Sequence, residues 1–327
     1  MPEPRVSVVV RCGENPDLLV TCLEHLGALR TAPYEIIVVS PDTDESSRRL
    51  VAEKFPDVVQ LRLPWRPGQA QPPWQAGMDR ATGDVVAYLD DDTRVEEHWL
   101  DGLTAPYADP RVCAVGGRVV TAGGGDALRD EATTGLASIG QVLPSGELTR
   151  FFGADPGRPV EVDHLHESNM SFRTTDVAAV GGFRDGCAGS GRRDATDLAL
   201  RLGAAGHRLV FVPQAVTRRD AASATASADD AERTDLRHLF GSRRDHLVLL
   251  VGAYGWTHTL VRRYLATTVR DQHRHIRAAY QLLRGRPDAG GVRPPIRRRA
   301  TWPFVATRSA AELAGLVTGV LVMLRSR

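Results

Sequence analysis

A chain of 327 residues can bury a sizeable core without disulfides or structural metals, and 42% hydrophobic with 25% charged residues excludes a disordered or fibrous polypeptide. Cys12, Cys22, Cys113 and Cys187 show no CxxC spacing, which speaks against a zinc or redox motif and for reduced thiols in a cytoplasm. The net charge of +1 conceals a split: from residue 236 onward there are 17 arginines, no lysine and 4 acids, a balance of +13 that leaves −12 for residues 1–235.

Residues 5–12 (RVSVVVRC) form a short β-branched run, expected as a strand buried on both faces. Asn15-Pro16 then supplies an N-cap and a first-position proline for a helix whose Leu19, Cys22, Leu23 and Leu26 recur at helical spacing. The alternation continues with a strand at 35–40, a helix at 45–54, a strand at 58–63, a helix at 74–81 and a strand at 85–89. Strands separated by helices predict an α/β fold, a mostly parallel sheet with helices on both faces and ligands at the strands' carboxyl ends.

The middle reads as loops at Gly123–Gly125 and at 151–159, followed by further strands and one helix over 160–173, 177–183 and 195–212. Residues 221–231 (AASATASADDA) read as a mobile loop or linker. This predicts an α/β domain over 1–220, a linker or mobile loop over 221–234 and a basic helical region over 235–327. In the tail, Arg297, Arg298, Arg299 and Trp302 precede an apolar run at 313–324, too short to cross a bilayer but suited to its interface. A core-packing helix with solvated arginines accounts for the same run. No amino-terminal stretch has the features of a secretion signal.

Asp90, Asp91 and Asp92 directly follow the fourth strand. Three adjacent carboxylates repel one another unless solvated or neutralised, and at a sheet's carboxyl edge they suit Mg²⁺ or Mn²⁺ bridged to phosphates.

The ordered motifs VSVVVRCGENPDLL, EIIVVSPDTDES, AGMDRATGD, VVAYLDDDTRVEEHWL, ESNMSFRTTDVAAVGGF and RRDATDLALRLGAAGHRLVFVP resemble an inverting family 2 glycosyltransferase over about residues 5–220. The resemblance implies a GT-A fold, a nucleoside diphosphate sugar donor, a hydroxyl acceptor, a Mg²⁺ or Mn²⁺ cofactor and no nucleic-acid partner. It makes Asp90 and Asp92 the outer acids of a DXD motif and its metal ligands, Asp92 foremost, with Asp90 and Asp91 also toward the nucleotide. Arg11 and Glu14 edge the nucleobase and ribose, and Ser40 stands where the family has a base-contacting aspartate, with Asp42 or Asp44 as substitutes. Asp44 also reads as a helix cap.

The same resemblance makes Asp194 the general base, with Asp197 as the alternative or as a first-turn helix acid. Arg218 takes the place of a metal-binding histidine and is expected to hold the diphosphate. Asn169 and Trp74 are expected at the donor or acceptor sugar, although Trp74 equally suits a core aromatic. Met170 and Phe172 are expected in the core. His164 and His166, taken as alternating on one strand face, are read as acceptor-site or structural histidines rather than metal ligands.

The resulting expectation is an inverting transferase in glycan, polysaccharide or glycosylated-metabolite synthesis, cytoplasmic or held on the inner face of the cell membrane by its basic tail. A silent glycan- or lipid-binding scaffold and a sugar nucleotidyltransferase are the rivals. The second would need a Gly-rich loop after strand 1, which GENPDLL lacks.

Overall fold

The computed structural model describes residues 3–13, 15–64, 73–121, 138–184, 194–219, 236–284 and 301–325. Glu14, the Gly123–Gly125 patch, the 221–231 linker and Arg297–Arg299 lie outside the described residues. The chain divides into two compact units. The boundary expected at 220–235 also falls outside the described residues, and the second unit takes in Leu143–Glu147 as well as the carboxyl-terminal helices.

In the first unit, β1 (Val6–Arg11), β2 (Glu35–Pro41), β3 (Val59–Leu63) and β4 (Val85–Asp90) alternate with α1 (Pro16–Gly27), α2 (Glu45–Lys54) and α3 (Pro73–Arg80). Local chemistry sets these boundaries. Asn15 accepts hydrogen bonds from Asp17 N at 3.2 Å and Leu18 N at 3.4 Å, and Pro16 begins α1. Asp44 caps α2 by accepting from Ser47 N at 3.1 Å, so the cap reading of Asp44 holds.

Then come β5 (Thr93–Val95), α4 (Trp99–Thr104), β6 (Val112–Thr121), β7 (Val160–Val162), β8 (Met170–Arg173), α5 (Thr174–Ala179), α6 (Asp194–Ala204) and β9 (Arg208–Arg219). The sheet runs β3-β2-β1-β4-β8-β6-β9-β5, with β7 also on β9. Strands β1 to β4 pair in parallel, and β8 lies antiparallel between β4 and β6. Because β1 is an uninterrupted apolar run, it feeds both faces: Val8 and Val10 enter one core layer and Val9 the other.

The expected continuous 160–173 segment is two strands, β7 and β8, joined by a turn-rich stretch that carries His164 and His166. Those histidines therefore do not alternate along a strand. Strand β6 was not among the expected elements, and Gly116-Gly117 sits in its middle. The glycines serve close approach: a Cβ on Gly117 would fall 2.0 Å from Ala215 O, at the irregularity in the β6–β9 pairing.

The second unit contains α7 (Leu236–Tyr254), α8 (Thr259–Leu283) and α9 (Trp302–Arg325). Leu247, Leu250, Val251, Val261, Tyr264 and Leu316 form its core. The apolar run expected at 313–324 is the second half of α9, whose 24 residues are long and apolar enough to cross a membrane by length and composition. One third of that window is buried, and Glu312 in the helix is 1% exposed. Glu312 accepts from Gln272 Nε2 at 2.5 Å and Arg308 Nε at 3.0 Å, with Arg243 at 3.8 Å and His275 Nδ1 at 3.7 Å.

Candidate active site

Strands β1 and β4 pair with Arg11 beside Asp90 at their carboxyl ends, so the turn after β4 delivers Asp90 to Asp92 to the ligand edge of the parallel sheet. Each acid has its own partners. Asp91 turns back toward β1 and accepts Gly13 N at 2.6 Å, while burial pushes its carboxyl up to about 6 against that hydrogen bond. Asp90 accepts Arg11 Nε on Oδ1 at 2.9 Å and Ser168 Oγ on Oδ2 at 2.9 Å. Asp92 is held by Arg219, which donates from Nε at 3.1 Å to each carboxylate oxygen and from Nη2 at 2.5 Å to Oδ2. Arg219 also donates to Ser168 Oγ at 3.2 Å.

Two arginines therefore neutralise the acids, and both are positioned by the fold. The Arg11 guanidinium lies 4.7 Å from the centroid of the Trp74 ring. Arg219 ends β9, where Thr93 is its partner in the register of β5. Along β9, Thr217 is buried, so alternation puts Arg219 on the same side and Arg218 on the other.

Arg218 is accordingly not brought to the acids. Its side chain is 60% exposed and pairs with Glu96 at 2.5 Å. Its neighbour Arg219 is the arginine that β9 delivers to the acids.

Two further expectations are corrected by burial. Trp74 is 2% exposed, edge-on to Tyr88 at 5.2 Å between ring centroids, and presents no face to a sugar. Asn169 is fully buried, and its amide is already used: Oδ1 accepts from Trp99 Nε1 at 2.9 Å, and Nδ2 donates to Arg118 O at 3.1 Å and Ala215 O at 2.9 Å. It ties α4, β6 and β9 together rather than binding a hydroxyl. Met170 and Phe172 are in the core as expected.

Ser40 is also shut away, buried and with no hydrogen-bond partner for its hydroxyl, whereas Asp42 is exposed beyond the end of β2. His164 is buried and pairs through Nε2 with Thr149 O at 2.7 Å. His166 accepts Ser168 N on Nδ1 at 3.1 Å. Burial, with Arg150 and Arg219 nearby, pushes it down to about 3, so it is neutral at physiological pH.

Asp194 begins α6 and is 6% exposed. Asp197, one turn further on, is buried and accepts Arg201 Nε at 2.7 Å, while Arg201 also donates to the carbonyls of Val180 and Gly182. Asp197 is thus bound into the core, which favours the helix-acid reading over the catalytic one.

Glu167 was not singled out by sequence. Burial pushes its carboxyl up to about 7, reinforced by the charges of Asp90 and Asp194 and opposed by Arg11 and Arg150. Charges from both the acidic turn and the start of α6 thus act on Glu167. Ser168 and Arg219 were missed as well: ESNMSFR drew the eye to Asn169, and strand alternation in β9 was the available signal for Arg219.

Known proteins share this outline. The profile described as "Glycosyl transferase family 2" matches residues 7–174, half of the chain. The chain is 30% identical over 225 residues to the pre-mycofactocin glycosyltransferase of Mycobacterium tuberculosis, covering 66% of this chain and 42% of that protein. It is 29% identical over 189 residues to the glucosyl-dolichyl phosphate glucuronosyltransferase of Haloferax volcanii, covering 55% and 56%. The chain thus spans about half the length of these relatives. Its backbone matches the mannosyltransferase PcManGT of Pyrobaculum calidifontis, solved in complex with GDP-Man and Mn²⁺, with a TM-score of 0.55 at 17% identity over 97% of this chain and 87% of that one. A likeness at that identity speaks for the fold alone, and together with the profile match and the DXD turn it places the chain in glycosyltransferase family 2, with a GT-A fold.

Proposed function

We propose that this chain transfers a sugar from a nucleoside diphosphate sugar to an acceptor hydroxyl, inverting the anomeric configuration. The observation that carries the reading is the convergence, at the carboxyl edge of β1 and β4, of Asp90 and Asp92 with Arg11 and Arg219, and of Asp194 close enough for its charge to reach the same Glu167 that feels Asp90.

In this reading Asp194 accepts the acceptor's proton as the hydroxyl oxygen attacks the anomeric carbon, while the bond from that carbon to the diphosphate oxygen breaks and its electron pair leaves with the diphosphate. Arg11 and Arg219 stand where that negative charge grows, and an Arg fork matches phosphate oxygens. Glu167, whose carboxyl is pushed up to about 7 and feels both Asp90 and Asp194, carries only part of a negative charge near neutrality. Burial of Ser40 and exposure of Asp42 support Asp42 as the polar group at the base end.

The residues fit a divalent cation. Asp90 and Asp92 are hard oxygen donors, and a guanidinium already stands in for positive charge against Asp92. Among the described residues no group of three or more His, Cys, Asp or Glu is arranged as a metal cage, so protein ligation rests on this pair. Mg²⁺ or Mn²⁺ held there would supply Lewis-acid neutralisation of the diphosphate. Asp92→Asn is expected to weaken Mn²⁺-dependent donor binding about tenfold or more in a protein that still folds. Equal donor affinity and metal response in the variant would remove Asp92 from this role.

The test of the whole reading is a screen of the purified full chain against nucleotide sugars, following nucleoside diphosphate release with and without Mn²⁺. No release with any donor, with donor still bound, would favour a silent scaffold instead.

A specific observation also supports a membrane-surface location. On α9, Leu313, Val317, Leu321 and Leu324 form one exposed apolar stripe, 37 to 58% exposed, and α8 exposes Val269, Ile276, Tyr280 and Leu283 among Arg270, Arg274, Arg277 and Arg284. Apolar stripes beside arginines suit an anionic bilayer interface. The full chain is expected to sediment with anionic vesicles, less so at high salt, and the full-length Val317→Glu/Leu321→Glu variant to stay in the supernatant. Equal sedimentation of the two proteins would remove α9 from the contact.

A further inference from the structure

The arrangement around Asp92 differs from an open cation seat. Both of its carboxylate oxygens are occupied by one guanidinium, and the same Arg219 lies 4.0 Å from Asp90 Oδ2 and donates to the serine that holds that oxygen. Each Asp90 oxygen is engaged as well, Oδ1 by Arg11 and Oδ2 by Ser168. Arg11 is bound to the start of the cluster and braced on Trp74, whereas Arg219 reaches in from the last residue of its strand.

A cation entering between the two acids competes with Arg219 for Asp92, because the two are like-charged and bind the same carboxylate. The displaced guanidinium is a strong ligand for a diphosphate, which arrives at the same place with two or more negative charges. Each event removes an obstacle to the other.

Resting on the glycosyl-transfer reading above, we propose that Arg219 is a positioning residue that keeps the cation seat closed until the donor diphosphate arrives. In the resting chain it neutralises Asp92. When the diphosphate binds, Arg219 turns to it and frees the Asp92 oxygens, so divalent metal and donor enter as a coupled pair and the metal alone binds weakly.

The test compares Mn²⁺ binding to the nucleotide-free full chain, read from the electron paramagnetic resonance signal of free Mn²⁺, in wild type, Arg219→Gln and Arg219→Gln/Asp92→Asn. The Arg219→Gln protein is expected to bind Mn²⁺ about tenfold tighter than wild type, and the double variant to lose that gain. In the presence of a chelator, Arg219→Gln is expected to bind UDP and GDP about tenfold more weakly than wild type, for whichever of them wild type binds. Unchanged Mn²⁺ affinity in Arg219→Gln, or a gain that survives in the double variant, overturns the proposal. If the glutamine variant fails to fold, Arg219→Lys is read in the same way: it keeps the charge but not the fork, so a smaller gain of about threefold supports the latch and no gain overturns it. The Mn²⁺ measurement needs no turnover, so a chain that transfers no sugar at all would refute the transferase reading without touching this result.

Discussion

Replacing Asp194 with asparagine is expected to lower sugar transfer by ~10²-fold or more while leaving donor affinity nearly unchanged, the scale of a lost proton acceptor. Asparagine keeps the size and the helix-start position of Asp194 but cannot take a proton from the acceptor. Three features make this aspartate the choice over its neighbours: it opens α6, it is buried, and its charge reaches Glu167. Glu167→Gln separates the two carboxyls. It removes a group already held near 7 by burial and neighbouring acids, and a loss as large as that of Asp194→Asn would move the base to Glu167. Measurement of kcat and KM with the donor found in the screen, alongside isothermal titration of donor, decides the matter.

Asp197→Ala is expected to act on folding rather than chemistry, costing about 3–5 kcal/mol because Arg201 is left buried without its counter-charge. The pair is 2.7 Å apart, with side chains 6% and 1% exposed, and no solvent reaches it to share the charge. Arg201 would keep its bonds to the carbonyls of Val180 and Gly182, which hold the turn after α5, so the loss is of charge balance and not of every contact. Urea denaturation checks the magnitude. A variant as stable as wild type but inactive would exchange the roles of Asp194 and Asp197.

Reading the chain without its structure recovered β1 to β4 and α1 to α3 almost to the residue, because apolar strands alternate with helical patterns and caps, prolines and a Gly-Asp turn mark the breaks. It missed β6, whose Gly117 is explained by the approach of Ala215, about a hundred positions away in the chain. The acidic turn was legible from its place after a buried strand. Its counter-ions were not, since residue type says nothing of direction: Arg218 and Arg219 are chemically identical, and only the pleat of β9 sends one to Glu96 and the other to Asp92. Asn169 and Trp74 misled for a related reason. Each can bind a sugar, and each is consumed by the core, as Asn169 shows in its three bonds to Trp99, Arg118 and Ala215.

The latch between Arg219 and Asp92 also has a history in time. It joins positions 127 residues apart, and β9, which carries Arg219, pairs with β5, β6 and β7. On a ribosome adding ~5–20 residues per second, the three aspartates emerge roughly 6–25 s before the arginine that neutralises Asp92. During that interval Arg11, which precedes them, is the cation already at hand, and its bond to Asp90 spans the parallel pair of β1 and β4, both complete by then. Arg11 and the strand pair that carries its bond to Asp90 therefore leave the ribosome first, and Arg219 follows with β9, the last of the described strands.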